Sequence, residues 1–219
     1  QIWVVPSSGG VPRQLTWYPD VGRLPPRGGY DNLPHDWTPD GRFILVASNR
    51  TPYGDRIARY FLVPANGEGL ERPLQIPEGG PATLSPDGSK LAYNPISREW
   101  RTWKRYTGGR AQDVYVYDLL QNRVERITEF EGTDNWPMWL DDRIYFTSDR
   151  SGTLELWCFE TVSKLTRQIT SGGGGFDVLF PSRGDAGIAF ERGGELWLME
   201  RGTERVRRLE VTLADDRPW

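Results

Sequence analysis

Short stretches in which apolar or aromatic residues alternate with polar ones recur along the whole chain. Alternation over about six positions is the period of a β-strand, and no stretch shows a helical period. Five of the stretches align: QIWVVP at Gln1, ARYFLVP at Ala58, DVYVYDL at Asp113, ELWCFE at Glu155 and ELWLME at Glu195. By subtraction, the aligned aromatic residues are 57, 55, 42 and 40 positions apart: Trp3, Tyr60, Tyr115, Trp157 and Trp197.

Each aligned stretch belongs to a larger repeating unit. A short charged strand follows it, as in VERITEF and LTRQITS, and two apolar runs joined by a turn precede the last four. In the first two of these units the turn is Pro-Asp-Gly, in which proline fixes φ, aspartate bonds nearby backbone and glycine takes a positive φ. The third unit has Asp141 and Asp142 at this place, and the fourth has the sequence SRGDAG.

Four strands repeating every 40 to 50 residues or so predict an all-β fold, a β-propeller with four-stranded antiparallel blades. A β-sandwich is the structural alternative, although it does not require such similar units. We expect a single partial propeller over 1–219, with about four and a half blades. The expected divisions are a half blade at 1–16, blades at about 30–77, 78–130, 131–171 and 172–212, and the start of a next strand at 213–219.

Composition limits the possible partners and compartment. Lys and Arg total 27 against 30 Asp and Glu, a net charge of −3, so we expect no nucleic-acid partner. No run reaches the roughly 18 apolar residues of a spanning helix, and no signal peptide is apparent, so no membrane partner is expected. Cys158 is the only cysteine, which suits a reducing compartment, and we expect a cytoplasmic location.

Motifs for catalysis, metals or cofactors are absent from the sequence, so we expect no catalytic residue, no metal site and no cofactor. His35 is the only histidine and is expected in a loop or turn. Cys158 is expected to be a buried, inert thiol in an inner strand. In the Ser-Asp-Arg-x-Gly hairpin at 148–152 and its relative near Asn49, calcium or ligand binding is possible, but turn stabilisation by Asp149 and Asn49 is favoured. The SGGGGF segment is expected to connect two blades.

Two basic loops are longer than a hairpin requires, and long ordered loops often carry function. One spans 20–32 and contains Arg23 and Arg27. The other, 96–113, lies between the second and third strands of its blade and includes the stretch REWRTWKRYTGG. The alternative is that each loop is a surface flap whose Arg and Lys stems shield aromatic rings.

The loop segment NPISREWRTWKRYTGGRAQDVYVYDL, with PPRGGYDN, WTPDGR, SNRTPYGDR and DDRPW, resembles the N-terminal six-bladed propeller of the tricorn protease family. The Trp-Lys-x-Tyr-x-Gly-Gly part is the specific one, because the turn repeats are shared with TolB-like propellers. The resemblance implies a fragment that begins partway through the second blade. The serine peptidase residues of that family lie in a distant C-terminal part.

The resemblance also implies a role. In that family the propeller is non-catalytic, forms a channel thought to pass peptides, and supplies basic side chains thought to hold the peptide's C-terminal carboxylate. Guanidinium and ammonium groups suit a carboxylate. The matching positions are Lys104, Arg27 and Arg23, although the two arginines are not adjacent as the family's pair is. Trp100 and Trp103 are expected to pack the loop.

Three functions therefore stand as hypotheses. The first is a non-catalytic peptide-channel part of a tricorn-type serine peptidase, with peptides and the rest of that peptidase as partners. The alternative is a stand-alone TolB-like propeller that mediates protein–protein interaction. The third, an independent hydrolase, is expected to be excluded by a lack of peptide turnover. Unpaired strand edges at the ends of an unclosed ring also predict self-association.

Overall fold

The computed structural model describes residues 1–17, 32–49, 57–96 and 105–212. These residues form β-strands, turns and irregular segments without any α-helix. The all-β fold with four-stranded antiparallel blades predicted from the sequence is thereby confirmed. No helix in the described ranges is long and apolar enough to span a membrane.

In the described ranges, eighteen strands make up one two-stranded sheet and four four-stranded sheets. The two-stranded sheet contains β1 (Trp3–Val4) and β2 (Arg13–Gln14). Blade A contains β3 (Leu33–Trp37), β4 (Phe43–Ser48), β5 (Arg59–Pro64) and β6 (Arg72–Pro73). Blade B contains β7 (Ala82–Leu84), β8 (Lys90–Tyr93), β9 (Tyr115–Asp118) and β10 (Arg123–Arg126).

Blade C contains β11 (Asp134–Leu140), β12 (Arg143–Ser148), β13 (Glu155–Glu160) and β14 (Thr166–Gln168). Blade D contains β15 (Leu179–Gly184), β16 (Gly187–Arg192), β17 (Glu195–Glu200) and β18 (Val206–Arg208). In every blade the strands pair in chain order and antiparallel, so each blade is a simple meander. The glycine-rich segment after Thr170 connects blade C to blade D, as predicted.

The turns between the first two strands of blades A and B have the predicted geometry. Gly41 and Gly88 have φ of +67° and +71°, a conformation that glycine adopts without a steric penalty. The Asp40 carboxylate accepts from the amide of Arg42 at 3.0 Å. The Asp87 carboxylate accepts from Ser85 and Ser89, and these hydrogen bonds lower its pKa to about 2. Each turn is therefore held by a side chain that replaces a backbone acceptor.

The hydrophobic core is divided into layers between neighbouring sheets. Blades A and B enclose a cluster that includes Leu45, Tyr60 and Leu91, and blades C and D enclose one that includes Leu156 and Met199. A third layer lies between blades B and C, and a fourth joins the β1–β2 sheet to blade A. Each layer is built from inward-facing residues of both sheets. Blades pack face to face, and their first strands are brought around a common space.

Candidate functional site

The first strands of the four blades surround a central channel that consists of two adjoining cavities. The loop-side cavity, of about 650 Å³, extends from this centre to Arg105 and Tyr106. The turn-side cavity, of about 750 Å³, extends to the turns that join the first and second strands of the blades. Both cavities are lined by the same four residues, which we call the waist: Pro34, His35, Trp136 and Phe180.

The waist is produced by β-bulges in three of the first strands. Register shifts occur between Pro34 and Asp36 in β3, between Asn135 and Met138 in β11, and between Leu179 and Ser182 in β15. A bulge adds a residue to one strand only, which bends that strand and redirects its side chains. In β3 the extra residue is His35. In β11 Trp136 and Pro137 lie opposite one residue of β12, and in β15 Phe180 and Pro181 lie opposite one residue of β16.

The prediction that His35 lies in a loop or turn is therefore wrong. The residue is part of β3, because the bulge accommodates one more residue than the partner strand β4 can pair. Its ring stands edge-on to that of Tyr60, with 6.1 Å between the ring centres. Its Nε2 atom is buried and has no hydrogen-bond partner among the described residues. Burial lowers the pKa of the imidazole to about 4, so His35 is neutral at pH 7.

Trp136 and Phe180 have the left-handed backbone conformation, with φ of +56° and +48°. Bulky L-residues rarely adopt it, and each such residue costs on the order of 1–3 kcal/mol unless its surroundings impose the conformation. At Trp136 the surroundings include the buried Asn94. The Asn94 Oδ1 accepts from the Trp136 amide at 3.1 Å, and its Nδ2 donates to the carbonyls of Asp113 and Asp134, each at 2.9 Å.

Arg105 and Tyr106 line the loop-side cavity and not the turn-side cavity. The Arg105 Nε donates to the carbonyl oxygen of Gly152 in blade C at 3.0 Å, which holds the end of the blade B loop against the neighbouring blade. The Tyr106 ring covers Gly108, where a β-carbon would lie 2.2 Å from the tyrosine hydroxyl. A side chain at Gly108 would therefore occupy the space that the Tyr106 ring fills.

The turn-side cavity contains an ion pair that connects all four blades. Arg183 of β15 pairs with Asp36 of β3, and its Nη1 donates to the Trp139 carbonyl of β11 at 3.0 Å. The Asp36 carboxylate also accepts from the amide of Leu84 in β7 at 2.7 Å. The Asp36 and Arg183 side chains are 11% and 26% exposed, so solvent screens the pair only in part.

The Ser-Asp-Arg-x-Gly hairpin has a structural role in which its arginine is central. The Arg150 guanidinium binds the buried Asp134 carboxylate at 2.6 Å and lies 4.9 Å from the ring centres of both Phe130 and Trp157. The Asp149 carboxylate accepts from the Thr133 amide at 2.9 Å, so it connects the hairpin to the segment before β11 instead of capping its own turn. Within the described ranges, no group of three or more His, Cys, Asp or Glu side chains is placed to hold a metal ion.

The turn that Asn49 is predicted to stabilise falls on 50–56, which lie outside the described residues. Cys158 is fully buried in β13, as predicted. Burial raises the pKa of its thiol to about 12, so almost no thiolate forms at neutral pH and the group is inert.

The predicted carboxylate-binding residues Lys104, Arg27 and Arg23 lie outside the described residues, as do Trp100 and Trp103. The waist was not predicted from the sequence. A signal was present, because a proline lies within or directly before each first strand: Pro34, Pro81, Pro137 and Pro181. Proline cannot donate to a sheet ladder and is found at edges and bulges, so these positions indicated an interrupted strand edge.

Known proteins resemble this chain in both sequence and fold. A family model for the tricorn protease N-terminal beta propeller domain matches residues 1–205. Tricorn protease homolog 1 of Streptomyces coelicolor is 28% identical over 230 aligned positions, which cover 99% of this chain and 19% of the relative. Tricorn protease homolog of Saccharolobus solfataricus is 23% identical over 184 positions, which cover 83% of this chain and 16% of the relative.

Among solved structures, a tricorn protease superimposes with a TM-score of 0.80 at 17% identity, covering 99% of this chain and 20% of that chain. TolB from Acinetobacter baumannii superimposes with a TM-score of 0.67 at 20% identity, covering 97% of this chain and 49% of that chain. Identities this low show the fold alone. The chain spans about a fifth of the length of the tricorn relatives that it matches. The match of the family model over nearly the whole sequence shows that this chain belongs to the tricorn protease N-terminal β-propeller family.

Proposed function

We propose that this chain is a non-catalytic peptide-channel part of a tricorn-type serine peptidase, and that its basic loop holds the C-terminal carboxylate of a peptide. The observation that carries the proposal is the position of Arg105, which directly follows Lys104 and lines the loop-side cavity. The same loop contains the Trp-Lys-x-Tyr-x-Gly-Gly sequence typical of the family. The proposed partners are peptides and the rest of the parent peptidase, and the proposed location is the cytoplasm.

Among the described residues, Arg105 is the one cation that lines the loop-side cavity. Two carboxylates line this cavity, and both accept hydrogen bonds from backbone amides: Asp149 from Thr133 and Asp177 from Leu154. Within the described part of the chain, Arg105 makes no ion pair within 4.0 Å. An arginine without an ion-pair partner among the described residues, beside a largely apolar cavity, favours a ligand that brings its own carboxylate.

A binding titration tests this role directly. Fluorescein-labelled pentapeptides that differ only in a free or amidated C-terminus are titrated with the full 219-residue chain and followed by fluorescence anisotropy. The free acid is expected to bind at least about tenfold more tightly, because a charge-assisted hydrogen bond contributes about 1.5–3 kcal/mol. Lys104→Ala is expected to weaken binding of the free-acid peptide and to leave the affinity for the amide unchanged.

Lys90→Ala is the matched control, because it removes a lysine of the same blade from the exposed start of β8. It should leave both affinities unchanged. Equal affinity of acid and amide would contradict the carboxylate role. If the chain binds a folded partner protein and does not distinguish the free acid from the amide, the TolB-like interaction module would be favoured instead. Arg23→Ala and Arg27→Ala, measured in the same way, test the other two candidate cations.

A further inference from the structure

We propose that the loop-side cavity binds the side chain of the peptide's C-terminal residue and selects peptides that end in an aromatic or large aliphatic residue. This inference rests on the proposed function, since it names the class of peptide that the channel takes. It begins from the waist, where bulges in the first strands of three blades place His35, Trp136 and Phe180 around one space.

The free edges of the first strands are poorly suited to bind a peptide by strand addition. An added strand needs an uninterrupted row of backbone donors and acceptors. Here the bulges break the register of β3, β11 and β15. Proline also removes a donor at Pro137 and Pro181, directly after the bulged aromatic residues. Recognition at the waist therefore depends on side chains.

The surface of the loop-side cavity is mainly apolar, although its lining also includes polar side chains such as Gln112, Asn135 and Thr147. Leu33, Trp136, Leu154, Val178 and Phe180 contribute to its wall. His35 adds no charge at pH 7, because burial lowers the pKa of its ring to about 4. The cavity volume of about 650 Å³ lies within the range of about 300–1,000 Å³ that is typical of small-ligand sites.

Two of the apolar residues are held in place at a conformational cost. The positive φ values of Trp136 and Phe180 would be relieved by glycine, and bulky residues in this conformation are concentrated at ligand-binding and active sites. Phe180 is nevertheless 68% exposed, so packing of its own ring does not account for a phenylalanine here. A ligand side chain against this ring would bury apolar surface that the free protein leaves in contact with water.

The direction of the peptide follows from the position of Arg105. Arg105 is exposed and lines the loop-side cavity only, whereas the waist residues also line the turn-side cavity. A C-terminal residue can therefore place its carboxylate at Arg105 while its side chain points towards the waist. An acidic side chain would have no cationic partner among the waist residues and would lose its hydration in an apolar wall.

The test uses pentapeptides Ala-Ala-Ala-Ala-X with X as Phe, Leu, Ala or Asp, each as free acid and as amide, titrated with the 219-residue chain. Phe and Leu are expected to bind at least about tenfold more tightly than Ala, as burial of a large apolar side chain predicts. The peptide that ends in Asp is expected to bind more weakly than the peptide that ends in Ala. Phe180→Ala should reduce the preference for Phe over Ala to within about threefold.

Phe176→Ala is the matched control. Phe176 is an exposed phenylalanine four positions away that lines a different cavity, between blades C and D. Its removal should leave the preference intact. Phe180→Asp, which changes an exposed position, should reverse the preference by disfavouring apolar ends. Equal affinities for Phe, Ala and Asp ends, or an unchanged preference in Phe180→Ala, would overturn the inference.

The two contrasts separate this inference from the function on which it rests. If affinity depends on X but is equal for the free acid and the amide, the carboxylate role is contradicted and the apolar subsite is supported. If the free acid binds much more tightly than the amide but affinity does not depend on X, only the subsite is contradicted. Absence of binding by every peptide would overturn both.

Discussion

Arg183 and Asp36 are 147 positions apart in sequence and form an ion pair between blades D and A, which are separated by the two blades between them. Because Asp36 also accepts from Leu84 of blade B and Arg183 donates to the Trp139 carbonyl of blade C, the pair connects the first strands of all four blades. It is the polar counterpart of the hydrophobic layers, which join only neighbouring sheets.

We predict that Asp36→Ala lowers the free energy of unfolding by roughly 3 kcal/mol, because it leaves a partly buried guanidinium and a backbone amide without their acceptor. Urea denaturation of wild type, Asp36→Ala, Arg183→Ala and the double variant measures the coupling between the two residues. We expect a coupling energy above about 1 kcal/mol. The exposed pair Arg208–Glu195, within blade D, is the control and should show little or no coupling. If the effects of Asp36→Ala and Arg183→Ala on the free energy of unfolding are additive, the role of the pair is contradicted.

His35 should make stability depend on pH. Its pKa is about 4 in the folded protein against 6.5 ordinarily, so below pH 6.5 the unfolded chain takes up a proton that the folded chain does not. The contribution of neutral His35 to the free energy of unfolding is complete above pH 6.5. It declines as the pH falls towards 4, with a total loss of up to about 3 kcal/mol. Urea midpoints of wild type and His35→Gln at pH 7, 5.5 and 4.5 isolate this effect from that of the carboxylates. Parallel pH profiles for the two proteins would show that His35 is not buried in its neutral form.

Gly187 is expected to be intolerant of any side chain. Its φ is +138°, and a β-carbon there would lie 1.9 Å from the Met199 carbonyl oxygen in the adjacent strand. Gly187→Ala should therefore cost more than about 2 kcal/mol, measured as a shift of the urea midpoint. Gly184→Ala, in the same hairpin, is the control, because a β-carbon at Gly184 meets nothing within 4 Å. Similar small effects of the two substitutions would contradict the register of β16 and β17.

The β1–β2 sheet should cause the isolated chain to associate. β1 pairs with β2 alone among the described strands, and Trp3 and Val5 beside its other edge are 55% and 51% exposed. Unpaired edges with apolar side chains bind other strands. We expect the mass measured by light scattering to rise with protein concentration, and Val5→Lys to shift it towards the monomer. Val162→Lys, in an exposed turn of blade C, is the control and should leave the measured mass unchanged. A constant monomer mass would contradict edge association.

The sequence predicted the blades well because their determinants are local. Alternation around Tyr60 or Trp157 and the Pro-Asp-Gly turns each act within a few residues, and each repeat supports the interpretation of the next. The channel depends on relations that no local pattern contains. The bulge at His35 is defined by the strand that pairs with it, and the partner of Asp36 lies three blades further along the chain. Arg105 stands in the basic loop whose length and charge predicted a function, but its contact with Gly152 in the next blade could not be derived from spacing.

The central claim, that the channel holds the C-terminal end of a peptide, is tested most directly by locating a bound peptide. A pentapeptide ending in benzoylphenylalanine is cross-linked by light to the 219-residue chain, and the labelled segments are identified by mass spectrometry. We predict labelling at 105–112, 133–139 and 176–183, which is suppressed by an unlabelled free-acid peptide and not by its amide. Labelling confined to the outer strands β10, β14 and β18 would contradict the claim.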